Sequence, residues 1–189
     1  MKNYLTLVSM LFLVPMWAQR IQQTNIRTQQ PSESNAPKVL DNEAKTFLEQ
    51  FQKGISYLAD KKYTRSKRRT YATSFASRFA ADAMIQVMNG DDTKSFKPID
   101  YFNRLIDLNY DQVSIQFEVI RQTPFQQVKD AWWQINYELL QHFKATRNRK
   151  ISEDETIKTV DLYFLHIASN NTWTKKYGHV LAHSTRSLK

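Results

Sequence analysis

The chain has 189 residues, a formal charge of +9, 13% aromatic residues, three glycines and no cysteine. That length is right for one domain with a sizeable core, and the aromatic content excludes a globally disordered chain. Without cysteine there can be no disulfide, no thiolate nucleophile and no cysteine-ligated zinc or iron–sulfur centre.

Residues 1–18 start with Lys2, run through an apolar stretch from Leu5 to Trp17 and end on Ala18, before Gln19. This is the layout of a cleaved secretory signal peptide, and the apolar stretch is shorter than the roughly 20 residues that span a bilayer. Export to the periplasm or the medium is expected, with no stable membrane span left after cleavage. A retained anchor is the competing reading. No cysteine follows to carry a lipid, and the Ala-Gln junction resembles signals of Gram-negative, Bacteroidetes-type bacteria. Residues 19–38 are polar and free of aromatics, so burial cannot offset their ordering entropy and a flexible leader is expected. The folded domain is placed at 39–189.

From Val39 the apolar positions Leu40, Ala44, Phe47, Leu48, Phe51, Ile55 and Leu58 follow helical spacing, with Asp41 or Asn42 as cap. The helix is expected to run to about Asp60. KKYTRSKRR then interrupts it with six cations in nine residues. A second helix is expected from Tyr71 to about Ala81, a short strand over Met84–Met88, a turn at Asn89–Asp92, and a helix opened by Pro98. After that the period changes to two. Val113, Ile115, Phe117 and Val119 alternate in one strand, and Trp133, Ile135, Tyr137 and Leu139 in the next. TIKTVDLYFLHIA is apolar on both faces, Ser169–Thr172 is a turn, and WTKKYGHVLAHS is a closing strand. Helices followed by a run of antiparallel strands make an α+β domain with its helices on one face.

FASRFAADAMIQV followed by KPIDYFNRLIDL, between a long N-terminal helix and several long strands, resembles the nuclear transport factor 2-like (cystatin-like cone) superfamily. The resemblance covers about Val39 to Ser184. It implies helices held in a strongly curved antiparallel sheet that forms a cone with an internal pocket. Its members include isomerases, dehydratases, cyclases, secretion-system components and binding modules, so the fold alone assigns no activity.

The resemblance also makes Asp82 an acid position of some enzymes of the superfamily. The competing reading has its carboxylate holding backbone donors where a helix stops. Asp161 is an acid in an otherwise apolar strand, where a carboxylate needs partners, so it is expected to face a pocket mouth or to pair with a cation across the sheet. His166 alternates with Val160, Leu162 and Phe164. His179 and His183 share a face with Trp173, Tyr177 and Leu181, about 13 Å apart at about 3.3 Å per residue, too far to chelate one ion. His142 is placed at the end of a strand. Tyr101 and Tyr63 are pocket or core aromatics. No metal site and no cofactor is expected.

Lys61, Lys62, Arg65, Lys67, Arg68 and Arg69 form a basic loop, and KATRNRK adds Lys144, Arg147, Arg149 and Lys150 at a strand connection. Such loops attract anions or an acidic envelope partner, or serve only as solvated surface. No nucleic-acid motif accompanies them. With no acid–base pair standing out, the leading expectation is an exported, non-catalytic binding or accessory domain for a small molecule or protein, with homodimerisation left open. The alternatives are a small-pocket isomerase or dehydratase using Asp82, and an envelope or secretion-assembly component with an uncleaved anchor.

Overall fold

A computed structural model describes residues 38–128 and 131–188. The signal segment and residues 19–37 of the leader lie outside the described residues. The elements in chain order are α1 (Val39–Ala59), α2 (Arg65–Ala76), β1 (Ile85–Asn89), β2 (Asp92–Phe96), α3 (Pro98–Ile106), β3 (Gln112–Gln122), β4 (Gln126–Gln127), β5 (Trp132–Arg147), β6 (Lys150–Ile167) and β7 (Thr172–Ser187). None of the described helices is long and apolar enough to cross a membrane.

α1 starts earlier than its capping residues suggest. Lys38 is the N-cap and makes no side-chain cap bond, while Asp41 lies in the first turn, where a carboxylate favours the helix dipole. The early start puts Leu40, which is fully buried, on the apolar stripe with Phe47, Leu48, Phe51, Ile55 and Leu58. α2 also starts earlier, at Arg65 instead of Tyr71. Thr64 caps it, its side chain accepting from the Lys67 amide at 3.3 Å, which satisfies one of the orphan donors of the first turn. The basic segment is therefore mostly helix. α2 ends at Ala76, and Phe79 then forms an isolated parallel bridge with Tyr177.

The sheet runs β2-β1-β7-β6-β5-β3, with β4 also on β5. It is curved, open and mixed. The antiparallel sheet expected from the sequence is corrected at one ladder, because β1 lies parallel to β7 with Ile85 opposite Val180. β2 has no apolar pattern of its own. It is held by the hairpin to β1, turned at Gly90 with φ +61°, a left-handed value that glycine adopts without penalty. β5 and β6 are long strands joined by a two-residue turn at Asn148 and Arg149, both at positive φ, as a twisted hairpin demands. His142 is thus in the middle of β5, not at a strand end.

β7 pairs with β6 through two register shifts. At one of them Leu162 faces Tyr177 but Val160 faces Val180, so β7 holds one extra residue around Gly178. A bulge of this kind reverses the alternation. Tyr177 and Val180 both turn inward and are buried, so His179 and His183 do not share a face with Tyr177. A side chain at Gly178 would collide with Tyr163 and Asp161, which is why the bulge sits on a glycine.

The core lies between the helices and the inner face of this sheet. Tyr177 is fully buried at its centre. Its ring stacks on Phe47 at 3.9 Å between centroids, its hydroxyl donates to the Phe47 carbonyl at 2.9 Å, and Phe51, Phe75 and Phe79 surround it. Gly54 of α1 leaves room for the Phe75 ring, which a β-carbon there would meet at 2.6 Å.

Two stability predictions follow from this packing. Gly54→Ala should destabilise the protein by about 1–3 kcal/mol through overpacking against Phe75, outweighing the gain of about 1 kcal/mol that alanine brings to a helix; urea denaturation measures the balance. Within the basic segment, Arg68→Glu should lower the melting temperature steeply, whereas Lys67→Glu should leave it nearly unchanged. Arg68 is 4% exposed and donates to the Leu58 and Ile106 carbonyls, while Lys67 is exposed and its ammonium makes no bond among the described residues.

Candidate functional site

Strand β6 carries two kinds of side chain on its inner face. Val160, Leu162 and Phe164 are fully buried in the core, Phe164 edge-on to Phe47 of α1 with 6.1 Å between ring centroids. Two, four and six residues earlier, Lys158, Thr156 and Asp154 follow the same alternation, but α1 does not cover them. They line a cavity of about 340 Å³ closed instead by α3 (Tyr101, Arg104, Leu105), the β1–β2 hairpin (Val87, Lys94, Phe96) and strands β3 and β5 (Ile115, Gln141, Phe143). The lining is mixed, with apolar side chains beside the charged Asp92, Lys94, Arg104, Asp154 and Lys158.

Lys158 is the most perturbed group of this cavity. It is 4% exposed, and its one hydrogen bond among the described residues, to the Gln86 carbonyl, is long at 3.4 Å. Its ammonium lies 5.9 Å from the Tyr101 ring centroid. Burial brings its pKa down from 10.5 to about 8, and the charge of Asp154 opposes that fall only in part. Asp154 is shifted the other way. Burial raises its pKa, against the pull of Lys158, so each group weakens the other's preference for neutrality. Burial also pushes the Tyr101 phenol up to about 12, helped by the charge of Asp154, so it stays a neutral donor at physiological pH. Gln141 and Thr156 are buried beside them, and the Thr156 hydroxyl bonds that of Thr185 at 3.1 Å. The opposed shifts have one cause, since burial disfavours the charged form of acid and base alike.

Of the candidates named from the sequence, only Tyr101 lines the cavity. Asp82 is exposed in the turn before β1 and makes no hydrogen bond among the described residues. It lies outside the lining of this cavity and caps none of the described helices. Asp161 is buried on the opposite face of β6, where it neither faces the cavity nor pairs with a cation. It accepts from the Asn136 amide at 2.5 Å and from the His179 backbone, and burial raises its pKa against both bonds. His166 is exposed and bonds Asn171 at 2.9 Å. His179 accepts from the Met84 amide, and His183 bonds Thr159. No group of three or more histidine or acidic side chains able to hold a metal occurs among the described residues.

Most of the basic segment is internally engaged. Lys61 donates to the Leu108 carbonyl at 2.7 Å, and Lys62 pairs with Asp60 at 2.9 Å. Arg65 and Arg69 both clasp Asp107, at 2.6 and 3.2 Å. In the second cluster Lys144 pairs with Glu153 at 2.6 Å. Arg65 and Arg69 thereby join α2 to the end of α3.

The sequence did carry a signal for Lys158 and Asp154. In DETIKTVDLYF, Asp154, Thr156 and Lys158 keep the parity of the buried Val160, Leu162 and Phe164. Polar residues at the inward phase of a central strand imply a cavity or a buried network, since an isolated buried charge is costly.

Neither a family model nor a curated protein sequence matches the chain. Among solved structures it is similar to Aln2 from a Streptomyces species, at 11% identity over 78% of this chain and 92% of that one, with a TM-score of 0.47. It is similar also to a hexachlorocyclohexane dehydrochlorinase (LinA), at 13% identity over 80% and 93%, TM-score 0.45. A third is a protein assigned as a scytalone dehydratase from Novosphingobium aromaticivorans, at 9% identity over 80% and 92%, TM-score 0.43. Likeness at this level carries no activity across. The architecture itself is two helices, a hairpin, a third helix and a meander of long strands in an open curved sheet.

The buried ammonium makes a pH-dependent prediction. The folded pKa of Lys158, about 8, lies below its unfolded 10.5, so between these values the unfolded chain binds more protons and stability rises with pH. Below pH 8 the full cost of burying the charge is present. Lys158→Met should therefore stabilise the protein at pH 7 by up to roughly 3 kcal/mol, with the gain shrinking towards pH 10.5; urea midpoints at the two pH values give the comparison.

Proposed function

We propose that the chain is a small-pocket enzyme of the isomerase or dehydratase type, moving protons on a molecule held between α3 and the inner face of β6. The observation that carries this reading is the pair Lys158 and Asp154, which line one cavity and have pKa values displaced from their ordinary ranges in opposite directions. A lysine brought near neutrality by burial can accept and return a proton at working pH, as general acid–base catalysis requires. Tyr101 supplies a neutral hydrogen-bond donor on the facing helix, and the buried Gln141 amide a further polar contact. The acid–base role expected of Asp82 passes to Lys158, because Asp82 is exposed and outside the cavity.

The second reading is a binding domain without turnover. It is favoured by one feature, that no carboxylate among the described residues forms a contact ion pair with Lys158, although Asp154 is close enough to influence its charge. We propose further that the protein is exported, on the strength of residues 1–18, and that any acidic partner would meet Lys67 and the exposed arginines of α2.

Three measurements test these readings. A molecule that co-purifies with the full-length protein, identified by native mass spectrometry, should exchange carbon-bound hydrogen with heavy water in the presence of the protein. The exchange rate should fall by at least a hundredfold in Lys158→Met and by less than twofold in Asp82→Asn. Binding with no exchange above background would select the non-catalytic reading. For export, the mature protein should begin at Gln19, read by mass spectrometry of the secreted fraction; uncleaved protein in washed membranes would overturn it.

A further inference from the structure

The cavity holds a buried amine, that of Lys158. This side chain is almost fully buried, has no contact carboxylate among the described residues to hold it as an ammonium, and is anchored by a long bond to the Gln86 carbonyl. Its backbone position is two strand repeats from that of Asp154 on the same face, a separation of about 13 Å. Both side chains line the cavity, and each feels the charge of the other. Ile115, Phe143 and Leu105 give the same lining an apolar part, beside the charged Asp92, Lys94 and Arg104. An amine kept partly neutral by desolvation beside apolar walls is the arrangement in which lysine attacks carbonyl carbon.

We propose that Lys158 condenses with the aldehyde or ketone group of a small, largely apolar molecule, holding it in the cavity as an imine. This rests on the reading of the cavity as a reactive site and names its substrate class. The neutral Nζ gives its lone pair to the carbonyl carbon, forming a C–N bond, while the carbonyl π pair moves to oxygen. Asp154, as the acid, protonates that oxygen, and the nitrogen loses one proton to solvent or to the Asp154 carboxylate. Protonation of the hydroxyl, by Asp154 once it has taken up the nitrogen's proton or by solvent, expels it as water while the nitrogen lone pair forms the C=N bond of a protonated imine. Overall, amine, carbonyl and one proton give the protonated imine and water, with no oxidant or reductant. The iminium withdraws electrons from the neighbouring carbon and so acidifies its hydrogen, the step an isomerase or dehydratase needs. Burial raises the pKa of Asp154 and lowers that of Lys158 to about 8, the directions that a proton donor and an amine nucleophile need.

The test is reductive trapping on the full-length protein. Benzaldehyde at low millimolar concentration, with cyanoborohydride at pH 7, should place a benzyl group on Lys158 at least tenfold faster than on Lys53, an exposed lysine of α1, as read by peptide mass mapping. Lys158→Arg keeps the cation and cannot form an imine; a Lys158→Arg protein that unfolds at the wild-type temperature should lose the fast phase alone. Asp154→Asn should slow labelling of Lys158 and leave Lys53 unaffected. Labelling of Lys158 no faster than Lys53 would overturn the imine. If the co-purified molecule still exchanges hydrogen in a Lys158-dependent manner, the imine alone falls and the acid–base reading stands; if both fail, both fall.

Discussion

Everything in this domain hangs on Tyr177. Its hydroxyl donates to the Phe47 carbonyl and its ring stacks on Phe47 itself, so one side chain fastens the middle of the sheet to the long helix by both a hydrogen bond and an aromatic contact. A buried phenol needs a partner, and a backbone carbonyl of α1 fixes where that partner can be. Phe51, Phe75 and Phe79 close around the same ring, drawing α2 and the turn after it onto the sheet. The bulge at Gly178 is part of the same constraint, because without the extra residue Tyr177 and Val180 would not both face inward.

That anchoring also creates the cavity. α1 is held over the half of the inner face formed by Val160, Leu162 and Phe164, and it contributes no side chain to the lining of the other half. There α3 and the β1–β2 hairpin form the opposite wall, leaving Asp154, Thr156 and Lys158 to line the space between. Burying an ammonium that lacks a contact counter-ion costs stability, and proteins keep such groups where a function needs the altered protonation behaviour. At neutral pH the buried ammonium of Lys158 is thus a local cost to stability.

The basic segment shows how charge can serve architecture. Arg68 reaches through the core boundary to the carbonyls of Leu58 and Ile106, at the ends of α1 and α3. Arg65 and Arg69 add the Asp107 carboxylate just beyond α3. Helix C-termini leave carbonyls unsatisfied, and cations favour that end of the dipole. A run of cations at the start of α2 would be unfavourable for that helix on its own, and it is compensated by the two C-termini it meets.

The sequence by itself determined the local elements of this protein. Helical spacing from Leu40 to Leu58, Pro98 at the start of α3, the Gly90 turn and the two-residue alternation in β3 and β5 are properties of neighbouring residues, and the α+β class and superfamily resemblance follow from them. It even held the phase of Asp154, Thr156 and Lys158, since parity with Val160 is a local property. Only the tertiary structure decided that this phase opens on a cavity, that Asp161 and Asp82 lie away from it, that β1 runs parallel to β7, and that four of the six clustered cations belong to a capped helix. Each of these depends on residues far apart in the chain: the bulge needs glycine at 178 because Tyr163 and Asp161 fill the space a side chain would take, and Arg68 is buried only because two helix ends converge there. Periodicity reports which residues share a face, but the partner across that face is chosen by packing.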